Sequence, residues 1–194
     1  MQNILKIFVA FGITLALTAC ARSLHPFFTE KDIVFNESLL GVWTNDSGEI
    51  CKFTKSGDDH YELLFVGEEP VRFEARLINL GGVTFLDLYP KLPSKYIDLD
   101  PASFVPAHTL ARMAIGKDSI SIAIMDGDWL KQLSDQHRLD LAHERLYLAN
   151  EGFTSDTVVL TAPTQELQAF ALKHADSKEA FGEAEVFYRL RSDK

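Results

Sequence analysis

The side chains best suited to chemistry in this chain fall in two neighbouring runs. In Phe85-Leu86-Asp87-Leu88-Tyr89, alternation puts Asp87 on one face with Phe85 and Tyr89. In the next run His108, Leu110, Arg112 and Ala114 share a face. If the two runs pair across the residue 90–106 loop, Asp87 lies beside Leu110, within reach of His108 or Arg112. A carboxylate facing the inside of a barrel needs such a partner, because an unpaired buried charge is costly. The cluster therefore reads as a polar anchor in a ligand cavity, or as a structural ion pair or solvent-facing side. Trp129, with Leu130, is a candidate lid for the mouth of that cavity, against ordinary core packing.

Other chemistries find less support. The histidines, at 25, 60, 108, 137, 143 and 174, form no His-Glu-x-x-His spacing, and no two share a short strand face. No metal site is expected. There is no Gly-x-Ser-x-Gly elbow and no phosphate-cradling glycine loop after a strand. Asp126-Gly127-Asp128 has the start of a calcium loop without its later oxygen ligands, and reads better as a helix cap. No cofactor is expected, and a catalytic reading would rest only on Asp87, His108 and Arg112.

The elements that must position these residues are mostly strands. Turn chemistry at Asn45-Asp46-Ser47-Gly48 and Ser56-Gly57-Asp58-Asp59 separates strands at Leu39–Asn45, Glu49–Lys55 and His60–Val66. Val71, Phe73, Ala75 and Leu77 alternate with Arg72, Glu74 and Arg76, the cleanest strand in the chain. Further strands are expected at Val83–Tyr89, Thr109–Ile115 and Ser119–Met125, the last with Ile120, Ile122 and Ile124 on one face. A short helix, Asp126–His137, follows, with Asp126 or Asp128 as cap. Strands at His143–Ala149 and Thr157–Ala162 come next, then a helix from a Thr164 cap to about Ala175. Gly182 ends the helical region and Val186–Leu190 forms a last strand. About eight or nine antiparallel strands with two late helices imply a mainly β domain, closed as a barrel to remove exposed edges.

Residues 1–19 have a different character. A cationic start at Lys6 precedes an apolar run from Ile7 to Leu17, too short for the roughly 20 residues that cross a hydrocarbon core. Leu17-Thr18-Ala19-Cys20 resembles the lipobox of bacterial lipoproteins. The resemblance implies cleavage before Cys20 and diacylglycerol on its sulfur, with two or three palmitate-type chains in the mature form. Ala21, where an Asp would imply inner-membrane retention, points to the outer membrane, facing the periplasm. Residues 20–37 would form the lipidated N-terminus and tether, and 38–194 a single domain. Phe27, Phe28 and Phe35 suggest a tether that packs on the domain, since a solvated stalk would be rich in Gly, Ser and Pro.

Lys6 is the signal's only charge, so the remainder keeps all 28 acidic residues against fewer than 19 basic ones. Nucleic acid and anionic headgroups are therefore poor partners. With Cys20 taken by lipid, Cys51 has no disulfide partner. Beside Phe53 on a strand face, it reads as a buried, inert thiol.

Asn36-Glu37-Ser38-Leu39-Leu40-Gly41-Val42-Trp43 resembles the opening of a lipocalin-type (calycin) barrel, a short helical turn followed by a strand bearing Gly-x-Trp. The resemblance implies that Gly41 allows close backbone approach and that Trp43 plugs the closed end. It also implies that Arg189 packs over the indole, a contact worth roughly 0.5–2 kcal/mol. The His143–Ala162 stretch departs from the typical pattern by interrupting the late barrel. Leu24-His25-Pro26, Phe85–Pro90 and Leu167-Gln168-Ala169-Phe170 also resemble an uncharacterised bacterial lipoprotein family, which implies no activity. The expected function is a membrane-anchored, non-enzymatic barrel that binds or shields a small apolar or amphipathic ligand. The alternative is a lipid-tethered interaction module with a filled core, contacting an envelope protein as an inhibitor or assembly factor.

Overall fold

The computed structural model describes residues 20–66, 70–91, 106–150 and 153–190. Residues 1–19, read above as a signal segment, and most of the loop after Lys91 lie outside the described residues.

Strands form wherever alternation and turn chemistry agree. They are β1 (Arg22–Ser23), β2 (Gly41–Thr44), β3 (Ile50–Ser56), β4 (His60–Val66), β5 (Pro70–Leu80) and β6 (Val83–Lys91). After the loop come β7 (Thr109–Ile115), β8 (Ser119–Ile124), β9 (His143–Asn150), β10 (Phe153–Leu160) and β11 (Glu185–Arg189). Eight of them close an antiparallel barrel in the order β11-β2-β3-β4-β5-β6-β7-β8. The His143–Ala162 stretch stays out of the barrel. Its hairpin, β9 and β10, joins β1 in a separate sheet ordered β1-β10-β9.

Inside the barrel lie Trp43, Cys51, Phe53, Tyr61, Leu63, Phe73, Ala75, Leu77, Leu86, Leu88, Ala111, Met113, Ile120 and Phe187. Cys51, Phe53, Phe73, Ala75, Leu77 and Ile120 are alternating residues read from the sequence, and Ile122 and Ile124 pack against the cluster. On β6 and β7 the inward positions go instead to Leu86, Leu88, Ala111 and Met113, not to the faces of Asp87 and His108. A second core lies outside the barrel wall. There Ile78, Leu80, Phe85 and Leu110 meet Phe27, Leu130, Leu160, Leu167, Phe170 and Phe181. Strands between two cores are apolar on both faces, which accounts for the adjacent pairs Leu77-Ile78 and Phe85-Leu86.

The outer core is roofed by the N-terminal segment and by helices α1 (Gly127–Asp135), α2 (Thr164–Lys173) and α3 (Lys178–Phe181). Asp126 caps α1 by accepting from the Trp129 N–H at 2.9 Å. The second helix differs from expectation: Pro163 holds the cap position, and the Thr164 hydroxyl donates instead to the Pro26 carbonyl at 2.9 Å. That bond ties α2 to the N-terminal segment. Ser23 exchanges backbone bonds with His108 at 2.9 and 2.8 Å, and the Val34 N–H donates to the Leu77 carbonyl at 2.9 Å. Residues 20–34 thus run along the barrel wall.

Candidate functional site

The barrel is sealed at one end and hollow at the other. At the sealed end Trp43 is fully buried, and its indole N–H donates to the Leu39 carbonyl at 2.9 Å. The Arg189 guanidinium lies 4.0 Å from the indole centroid and donates to the carbonyls of Leu40, at 3.0 Å, and Ser38. Gly41 is needed here. Its φ is +128°, and a Cβ would sit 3.0 Å from the Arg189 guanidinium. The Tyr61 hydroxyl donates to the Asn36 carbonyl at 3.1 Å and accepts from the Asn36 N–H at 2.7 Å, while Phe35 stacks on its ring. The helical turn Glu37–Leu39 is thereby held as a plug.

At the other end the interior is not filled. A cavity of about 280 Å³ lies between Leu63, Phe65, Phe73, Leu88, Ile122 and Ile124. Cys20, Cys51, Asp126, Gly182, Glu183 and Glu185 also line it. Among the described residues lining it, the titratable groups are these three carboxylates and the thiols of Cys20 and Cys51. Neither cysteine forms a disulfide. Burial pushes the Cys51 thiol up to about 12, with the Glu185 and Glu49 charges adding to the effect. Burial pushes Cys20 up to about 11, partly offset by Arg22 and reinforced by Asp126. Thiols held neutral in this way are poor nucleophiles. Burial also raises the Glu185 carboxyl, opposed by a hydrogen bond from the Asn45 amide and reinforced by the Glu49 charge. The walls are suited to containing an apolar body, with acidic groups around part of it.

The cluster expected around Asp87 forms elsewhere. Asp87 pairs in register with Leu110, and the His108 Nδ1 lies 2.7 Å from its Oδ1. Its side chain, however, is on the outer wall, because Leu86 and Leu88 take the inward positions of β6. Only 2% exposed, the carboxylate spends its other oxygen accepting from the Phe27 N–H at 3.0 Å. The His108 ring packs on Tyr89 and Phe28. The group is a clasp on the N-terminal segment, joining residues 60 apart in sequence. Arg112 does not join it. It donates to the Ala175 carbonyl at 2.8 Å and pairs with Asp176 at 3.0 Å, bracing the link between α2 and α3. Trp129 packs on Phe170 and His174 in the outer layer. None of Asp87, His108, Arg112 and Trp129 lines the barrel cavity.

One polar pair was not anticipated from sequence. The Ser134 hydroxyl lies 2.9 Å from His143 Nε2, and His143 Nδ1 lies 2.7 Å from the Leu141 carbonyl. A carbonyl can only accept, so Nδ1 carries a proton, and in the neutral ring Nε2 accepts from the serine. This has the form of a nucleophile and its base. Yet Ser134 sits in the last turn of α1, where unsatisfied carbonyls gather, the wrong polarity for stabilising an oxyanion. Among the described residues, no group of three His, Cys, Asp or Glu side chains could hold a metal ion, and no helix is long and apolar enough to cross a membrane. No family model, no curated protein and no solved structure matches the chain.

Proposed function

We propose that this chain is a bacterial lipoprotein, anchored through lipid on Cys20 to the periplasmic face of the outer membrane. We propose further that its lipocalin-like barrel binds one small apolar or amphipathic molecule. The observation that carries the binding reading is the cavity of about 280 Å³ with leucine, isoleucine and phenylalanine walls, inside a barrel sealed at its far end. Eight-stranded barrels are just wide enough to hold one small ligand. Buried apolar surface provides the affinity, and Asp126, Glu183 and Glu185 disfavour an anionic head. Two or three acyl chains would hold the protein firmly where one would bind only reversibly.

Titration of the unacylated Cys20→Ser protein with a fluorescent fatty alcohol tests the binding reading. Saturable 1:1 binding is expected, weaker for the matching fatty acid at pH 7 and lost in Ile122→Phe, which fills the cavity. Cys20→Ser protein that binds neither probe, and carries no small molecule in native mass spectrometry, would overturn it.

A second reading, the lipid-tethered interaction module, is favoured by β9. This strand forms an edge of its sheet and exposes Leu146 at 50% and Tyr147 at 66%. A partner strand could add there. Crosslinking in cells from position 147 to one stoichiometric envelope protein would establish it.

A further inference from the structure

We infer that the barrel cavity is the resting place of one acyl chain of the protein's own anchor, led in from Cys20. The inference rests on the lipidation proposed above for that residue. Cys20 itself lines the cavity and is only 5% exposed. It is held there by the backbone: it forms a bridge with Asp126, and the next N–H, of Ala21, donates to the Met125 carbonyl at 2.9 Å. Sending every chain into a bilayer would require Cys20 to leave this seat. Leading one chain into the void beside it requires only that the void be filled.

Size and charge point to the same occupant. About 280 Å³ lies just below the roughly 300 Å³ at which small-molecule sites begin, a space suited to one slender chain. The carboxylates of Asp126, Glu183 and Glu185 would repel the head of a free fatty acid or an anionic phospholipid. A chain esterified to a glycerol on the Cys20 sulfur brings no charge to them. Attachment also makes the encounter intramolecular, with an effective concentration on the order of millimolar for short tethers, which a sparse free ligand does not match. With one chain stowed, fewer remain to hold the bilayer.

The test uses the full-length protein from bacteria fed a fatty acid with a terminal diazirine. It is purified from membranes in mild detergent, irradiated, digested and analysed by mass spectrometry. The expected product is the N-terminal lipopeptide beginning at Cys20, joined through its own acyl chain to peptides carrying Leu63, Leu88 or Ile124. Ile122→Phe should lose most of this product while the lipopeptide mass stays unchanged. A labelled lipopeptide joined only to phospholipid or detergent would overturn the inference and leave the anchor standing. Cavity peptides joined to a lipid with no covalent link to Cys20 would overturn it in favour of a free ligand. An unacylated Cys20 would remove the anchor itself, and the inference with it.

Discussion

The same eight strands end in two different ways. Around Trp43 each space is occupied: Leu39 beneath the indole, Arg189 over it, Tyr61 fixed to Asn36. Around Leu88 and Ile124 the inward side chains stop short of one another, and carboxylates stand where a plug would be. Closed packing of native density is the norm for interiors, so the filled end is what stability alone would produce at both ends. The hollow end gives up that contact. The difference places stability near Gly41, Trp43 and Arg189, and leaves the Cys20 end unfilled.

Substitutions can break or sharpen this contrast. The largest effect is expected at the sealed end, where Trp43→Ala should cost about 3–5 kcal/mol in urea unfolding. A loss below 1 kcal/mol would mean that the indole is no plug. Asp87→Ala removes one partner of a buried pair, for about 3 kcal/mol. It should also expose the chain near Phe27 to protease, since that N–H loses its acceptor. Arg189→Met removes the cation over the indole and two carbonyl contacts, for about 1–2 kcal/mol by thermal unfolding.

The hollow end should respond in the opposite sense. Overpacking a filled core costs typically 1–3 kcal/mol, but Ile122→Phe has space to enter and should remain within about 1 kcal/mol of wild type. A cost as large as that of Ala75→Phe, in the filled interior, would show that no usable space exists. The smallest effect concerns Glu185. Burial raises its folded carboxyl pKa, so the native state holds that proton more tightly than the unfolded chain does. The resulting stability is fully present below the ordinary glutamate range and is lost as pH rises through the raised folded value. Glu185→Gln should therefore raise the Tm at pH 7, and the gain should shrink towards pH 4.

How much of this was readable beforehand differs by element. β4 and β7 match their expected limits because turn residues bracket clean alternation. The inward set Ile120, Ile122 and Ile124 was legible for the same reason. The side taken by Asp87 was not. Alternation separates two faces without saying which one is inside, and β6 is buried on both. Adjacent apolar pairs such as Leu77-Ile78 carried the signal for a second core. β1 has two residues, too short for any periodicity, and forms only because β10 offers it an edge. Thr164 satisfied the rule for a cap, but the Pro26 carbonyl claimed its hydroxyl through a contact 138 residues away. The barrel cavity left no motif, since emptiness depends on how far opposing side chains reach.

The parallel pairing of β1 with β10 has a consequence for biogenesis. Arg22 aligns with Val159 and Ser23 with Leu160, and the barrel's final seam joins β2 to β11. Both unions bring the earliest residues of the body to some of its latest. A polypeptide emerging amino end first would remain an open curl of hairpins until β11 was available, and such long-range closure is slow. During that interval the margins of β2 and β8 would stay unpaired, a liability for pairing with other chains.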